Sequence, residues 1–197
     1  MRPDRLFGNM PPKRPLLSLE AIVEDWNMRF IKGDAKKYRD TVVDYCMKSS
    51  SFEEAVTRAC RCRNELGKKH NHQSKVRDPV LEQWKEKIII HVVPKRDKIV
   101  NFDQLFDILR LTMIWGIGPV THYDVATRIG AYLKLEPEQL YLHAGVLSGW
   151  KLLHGNGKWP ERIPRSSWPE ALRVLPADQV EDLLCAYRMF LHPNMLL

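Results

Sequence analysis

The apolar positions fall mostly on helical stripes. Leu19, Ile22, Val23, Trp26 and Phe30 recur at three- and four-residue spacing behind Ser18, a suitable N-cap, and predict a helix from Leu19 to about Ile31. Gly33 and Asp34 read as a stop and a fresh cap, followed by a helix to about Met47 that buries Tyr38, Val42, Val43 and Cys46. Ser49, Ser50 and Ser51 break that helix. Ser51 with Glu54 forms a capping box for a third, with Phe52, Ala55, Val56, Ala59 and Cys60 inward and an end near Gly67. After a polar connection over 68–77, Asp78-Pro79 restarts a helix through Leu81, Trp84 and Ile88. Residues 88–93 fit a strand as well as a helix, because a short apolar run has no decisive period. Asn101 caps an apolar helix carrying Phe102, Leu105, Phe106, Leu109 and Met113. Further helices are predicted over about 120–133, 137–153 and 177–191, with a proline-rich connection over 159–176. No internal repeat is visible. The predicted class is all-α, an irregular multi-helix bundle.

Composition narrows this picture. The chain has 197 residues, 44% of them apolar, with six Trp, which excludes a mostly disordered protein. No apolar run approaches the roughly 20 residues of a membrane span. Residues 1–15 hold four Pro and no apolar leader segment, and are expected to form a flexible arm. The expected organisation is that arm, a basic helical region over 16–97 and a second helical region over 98–197. Four Cys do not make a disulfide scaffold, so a reduced, cytoplasmic chain is expected.

The net charge of +7 is unevenly placed. Residues 1–100 carry 22 Lys/Arg against 14 Asp/Glu, a net of +8, and residues 101–197 carry 9 against 10. Within 58–77, Arg58, Arg61, Arg63, Lys68, Lys69, Lys75 and Arg77 are opposed only by Glu65, a net of +6. Such a cluster suits phosphate neutralisation, with salt-dependent and sequence-independent affinity. It equally suits a solvated helix face followed by a basic loop.

Between two apolar helices lies Ile114-Trp115-Gly116-Ile117-Gly118-Pro119-Val120-Thr121. Two Gly around one aliphatic residue make a turn that side chains would block. Pro119 suits the first position of the next helix, and Ile117 can plug the space between helices. The amides near Gly118 and Val120 then face outward at a helix N-terminus, where an anion can bind. This pattern resembles the helix-hairpin-helix module over about residues 102–133. The resemblance implies a grip on the DNA backbone without sequence reading, through Gly116, Gly118, Val120 and Thr121.

The chain departs from the glycosylases that use this module. Val120 stands where the bifunctional members carry a Lys, and the region of their catalytic Asp reads Leu135-Glu136-Pro137-Glu138-Gln139. Base excision is therefore not implied. Arg110, Arg128 and Lys134 are the only cations within the module. The longer string from Tyr123 to Leu133, followed by Tyr141-Leu142-His143-Ala144-Gly145, is similar to a group of uncharacterised bacterial proteins, which implies a prokaryotic origin and no activity.

Other constellations are weaker. Cys60 and Cys62 with His70 and His72 have zinc-ligand chemistry, but Cys-x-Cys on a helix sets the two thiols about 200° apart. Unless the helix ends before them they cannot share an ion, so no metal or cofactor is expected. His122, Asp124 and His143 form a candidate polar site in which a His–Asp pair could activate a water. No nucleophile accompanies them, and an enzyme is the less favoured class. Gly155-Asn156-Gly157-Lys158 lacks the spacing of a phosphate-binding loop, and Trp150, Trp159 and Trp168 read as core. The expectation is a non-enzymatic protein contacting nucleic acid, DNA ahead of RNA. The alternative is a helical scaffold with a protein partner or a second copy of itself.

Overall fold

The computed structural model describes residues 18–31 and 40–196, which fall into two compact units. One is discontinuous, joining the described residues before 40 to those from Glu138 onward, and the other is Asp40–Pro137. A division at 97–98 is not what separates them, because helices from both sides of that point pack within Asp40–Pro137. The predicted arm over 1–15, the stop at Gly33 and Asp34, and Tyr38 lie outside the described residues.

The discontinuous unit starts with α1 (Leu19–Trp26), capped by the Ser18 hydroxyl, which accepts from the Ala21 amide. Leu19, Ile22, Val23 and Trp26 are buried on one stripe, as their spacing predicts. A single π-helical turn follows over Asn27–Ile31. The helix predicted over 137–153 is shorter than its pattern suggests. Leu140–Tyr141 form β1, paired antiparallel with β2 (Arg162–Ile163), and α7 begins only at Ala144 and runs to His154. Leu140 and Tyr141 are both buried, a consecutive pair that fits a short covered strand rather than one helix face. α8 (Ala177–Ala186) also stops before the predicted 191. α7 meets α8 closely because Gly145 and Gly149 stand four apart, where a Cβ would collide with Cys185 and with the Leu184 carbonyl. Trp26, Trp150 and Trp168 fill the core, and the Trp168 indole donates to the Ile163 carbonyl.

The Asp40–Pro137 unit holds α2 (Thr41–Met47), α3 (Phe52–Arg61), α4 (Asp78–His91), α5 (Phe102–Arg110) and α6 (Pro119–Leu133). Ser51 caps α3 through the Glu54 amide, and the Glu54 carboxylate reaches back to the amide and hydroxyl of Ser50. α3 ends at Arg61 instead of near Gly67, because Cys62 turns left-handed at φ 52°. The run 88–93 resolves as helix: Trp84, Ile88 and Val92 are buried at four-residue spacing, while Ile90 is exposed. α5 and α6 pack through Phe102, Phe106 and Tyr123, and Gly130 admits the Phe102 ring.

Candidate functional site

The turn between α5 and α6 is built tightly. The Thr112 hydroxyl accepts from the Trp84 indole and donates to the Leu109 carbonyl, which ends α5 against α4. Gly116 has φ +96°, a conformation that L side chains rarely adopt, and a Cβ there would lie 3.2 Å from Val80 Cγ1. Ile117 is buried, as a plug between helices should be. Gly118 is different: its φ of −90° suits any residue, and a Cβ there would meet nothing within 4 Å. Among the described residues, the amides of Gly116, Gly118 and Val120 meet no acceptor, and Gly118 and Pro119 are exposed. Thr121 is buried, so its hydroxyl does not join this surface. Beside the turn, Trp115 is 89% and Leu111 is 86% exposed, an arrangement the sequence reading did not single out.

The seven cations of the basic stretch divide into two groups. Arg58 lies over the Tyr45 ring and donates to the Tyr45 carbonyl and to Glu54. Arg63 donates to the Gly67 carbonyl and to Asp78, and Lys69 donates to the Val76 carbonyl and to the same Asp78. Arg58 thus ties α3 to α2, and Arg63 and Lys69 hold the loop. Arg61, Lys68, Lys75 and Arg77 are exposed and have no acceptor among the described residues. Two contacts fix the loop's end and the start of α4 against α6 and the turn before it. The His72 ring and the Gln73 amide reach Asp124, and Val80 lies against Gly116. In sequence, Lys75 and Arg77 fall between these two contacts.

Behind the loop is a buried polar cluster. Asp124 Oδ2 lies 2.9 Å from His72 Nδ1, 2.7 Å from Gln73 Nε2 and 3.9 Å from His70 Nδ1. Arg128, one turn along α6, is fully buried. Its Nε donates to Asp40 Oδ2 at 2.8 Å and its Nη2 to Gln73 Oε1 at 3.2 Å. Asp40 also caps α2 through the Val42 amide. Burial pushes Asp124 up, but the His72 hydrogen bond, the Arg128 charge and Gln73 together outweigh it and hold Asp124 at about 2. Burial pushes His70 down. Burial works against the charge of Arg128, yet Asp124 and Asp40 keep it firmly protonated.

The predicted trio of His122, Asp124 and His143 is held by separate sets of contacts. His122 Nε2 bonds the Phe106 carbonyl at 3.0 Å, with its ring against Phe106 and Trp84. Asp124 faces His72 and Gln73 instead. His143 belongs to the other unit, 2.7 Å from Glu181. The thiols of Cys60 and Cys62 are buried, and Cys62 Sγ donates to the Ala59 and Cys60 carbonyls. Burial pushes Cys62 up to about 11 and Cys46 up to about 12, so neither is a thiolate near neutrality. Of the module's other cations, Arg110 pairs with Asp107 and Lys134 is exposed.

No protein-family model matches the chain, and no curated protein or solved structure matches it either. No described helix is long and apolar enough to cross a membrane.

Proposed function

We propose that this protein binds nucleic acid through phosphate contacts that do not depend on sequence, DNA ahead of RNA. The amides of Gly116, Gly118 and Val120 receive one phosphate at the start of α6, where the helix dipole also favours an anion. Arg61, Lys68, Lys75 and Arg77 supply long-range attraction and further phosphate contacts. The observation that supports this reading is an exposed turn with open amides before α6, against which Val80, three residues beyond Arg77, is packed. Trp115 extends from the same turn and is suited to stack on a base at a strand end or distortion.

Anisotropy of a labelled duplex, titrated with the full chain at low and moderate salt, tests the proposal. With four exposed cations, log affinity falls against log salt with a slope of about −3 to −4. K75A and R77A each weaken binding to all duplex sequences alike, and saturating DNA quenches Trp115 fluorescence, an effect lost in W115F. Absence of binding at low salt removes the reading. A scaffold role is the second reading, favoured by the exposure of Trp115 and Leu111 together. Salt-insensitive association through those two side chains would select it.

A further inference from the structure

The loop that carries the basic residues brings two imidazoles to one carboxylate. His70 is extended, and the tight turn over Asn71–Gln73 then sets the His72 ring edge-on to it, centroids 4.7 Å apart. Asp124 approaches from the second turn of α6, and one ligand atom from each of the three residues lies within 4.8 Å of the others. We propose that His70, His72 and Asp124 form a binding site for a divalent first-row cation, zinc the best match, which pins the basic loop to α6.

The donor set selects the ion class. Two imidazoles and one carboxylate suit zinc and its neighbours, whereas magnesium and calcium favour oxygen ligands throughout. Tetrahedral zinc with bonds near 2.1 Å sets its ligands about 3.4 Å apart. The separations of 2.9 Å from His72 and 3.9 Å from His70 to Asp124 Oδ2 bracket that distance. Binding therefore needs small side-chain shifts. It displaces the His72–Asp124 hydrogen bond and a long, weak contact of 3.4 Å from the His72 amide to His70 Nδ1. Gln73 already orients the carboxylate, the outer-sphere support that metal ligands need.

Arg128 is the apparent obstacle, with Nη2 3.9 Å from Asp124 Oδ2. Its charge is balanced at closer range by Asp40, at 2.8 Å. With neutral imidazoles, two carboxylates face one guanidinium, so the buried set has a net charge of −1 and favours an added cation. The His72 side chain is 36% exposed, so an ion can enter from solvent and keep a water as its fourth ligand. Cys60 and Cys62 stay outside the set, since Cys62 Sγ points at backbone carbonyls.

The test uses the full chain without an affinity tag, stripped with EDTA and titrated with cobalt(II), then zinc. One ion per chain is expected to bind, with visible absorption of a low-coordinate cobalt site that zinc abolishes. H70Q and H72Q each weaken binding at least ~10-fold, the smallest loss that even an outer-sphere substitution causes. H91Q, at an exposed position of α4, leaves it unchanged. A featureless cobalt spectrum, or equal affinity in H70Q and H72Q, overturns the site. If either variant misfolds, imidazole NMR of the wild type decides: zinc must move the His70 and His72 resonances ahead of those of His91 and His192, and the reverse order overturns it. None of these outcomes depends on whether nucleic acid binds.

Discussion

Arg128 shows how one residue can hold several elements together. Its guanidinium ties α6 to the cap of α2 through Asp40 and to the 71–73 turn through Gln73. Replacing it with Met leaves Asp40 and Asp124 without their cation in a buried site, and the expected loss is about 3–5 kcal/mol by urea denaturation. Acid acts on the same cluster. Burial lowers the folded pKa of His70 below the ordinary imidazole value of 6.5, so below that value the unfolded chain takes up protons that the folded chain resists. Stability is therefore full above 6.5 and falls as the pH drops through it. Asp124, held at about 2 against an ordinary 3.8, adds a second loss between those two values. Thermal melts from pH 8 to pH 5 should show the first decline in the wild type and a smaller one in H70Q. The sequence pointed to Asp124 and noticed His70 and His72, but not together. Residues 52 positions apart meet through the loop's path, which no local spacing encodes.

At the scale of elements, the two glycines of the turn have separate roles. Gly116→Ala forces a side chain into a positive φ and against Val80, and costs about 1–3 kcal/mol. Gly118→Ala meets open space in an ordinary conformation, so the melting temperature holds or rises slightly through a stiffer unfolded chain. On the proposed function it nevertheless weakens duplex binding, because a methyl group shields the amide that the phosphate approaches. Loss of stability without loss of binding in G118A would argue against that role. Element types were legible in the sequence, and some ends were not. The period that buries Leu19, Ile22, Val23 and Trp26 defines α1 by itself. The end of α3 depends on Cys62, a residue with no preference for a left-handed cap, whose thiol bonds the last helical carbonyls. The β1–β2 pair needs a partner strand more than twenty residues away, so Leu140 and Tyr141 read as the start of a helix.

Across the whole molecule, the +6 of the basic stretch overstates its free charge, because Arg58, Arg63 and Lys69 are engaged within the fold. The unit that holds both this stretch and the turn has its own buried residues, among them Val56, Trp84, Ile88, Leu105, Leu109 and Ile129. Residues 40–137 expressed alone should give a helical circular dichroism spectrum and one cooperative thermal transition. A fragment without a transition would show that the unit depends on the rest of the chain. The two-unit organisation was not legible, because the charge step near residue 100 marks a composition change inside one packed unit.

The discontinuity also bears on how fast the chain folds. Tyr187 donates to Asp25 across 162 positions, so the core of the discontinuous unit closes a very long loop. In the unit between its halves, α2 packs on α6, Asp40 meets Arg128, and the Leu135 amide turns back to the Gly130 carbonyl. The chain therefore leaves Asp40–Pro137 close to where it came in. Folding that unit first shortens the effective loop to about 65 residues and eases closure by about 0.8 kcal/mol, roughly fourfold. By this argument the discontinuous unit is expected to form more slowly, at a rate that depends on residues outside it. In stopped-flow refolding, R128M should delay the burial of Trp150 and Trp168, although Arg128 belongs to the other unit.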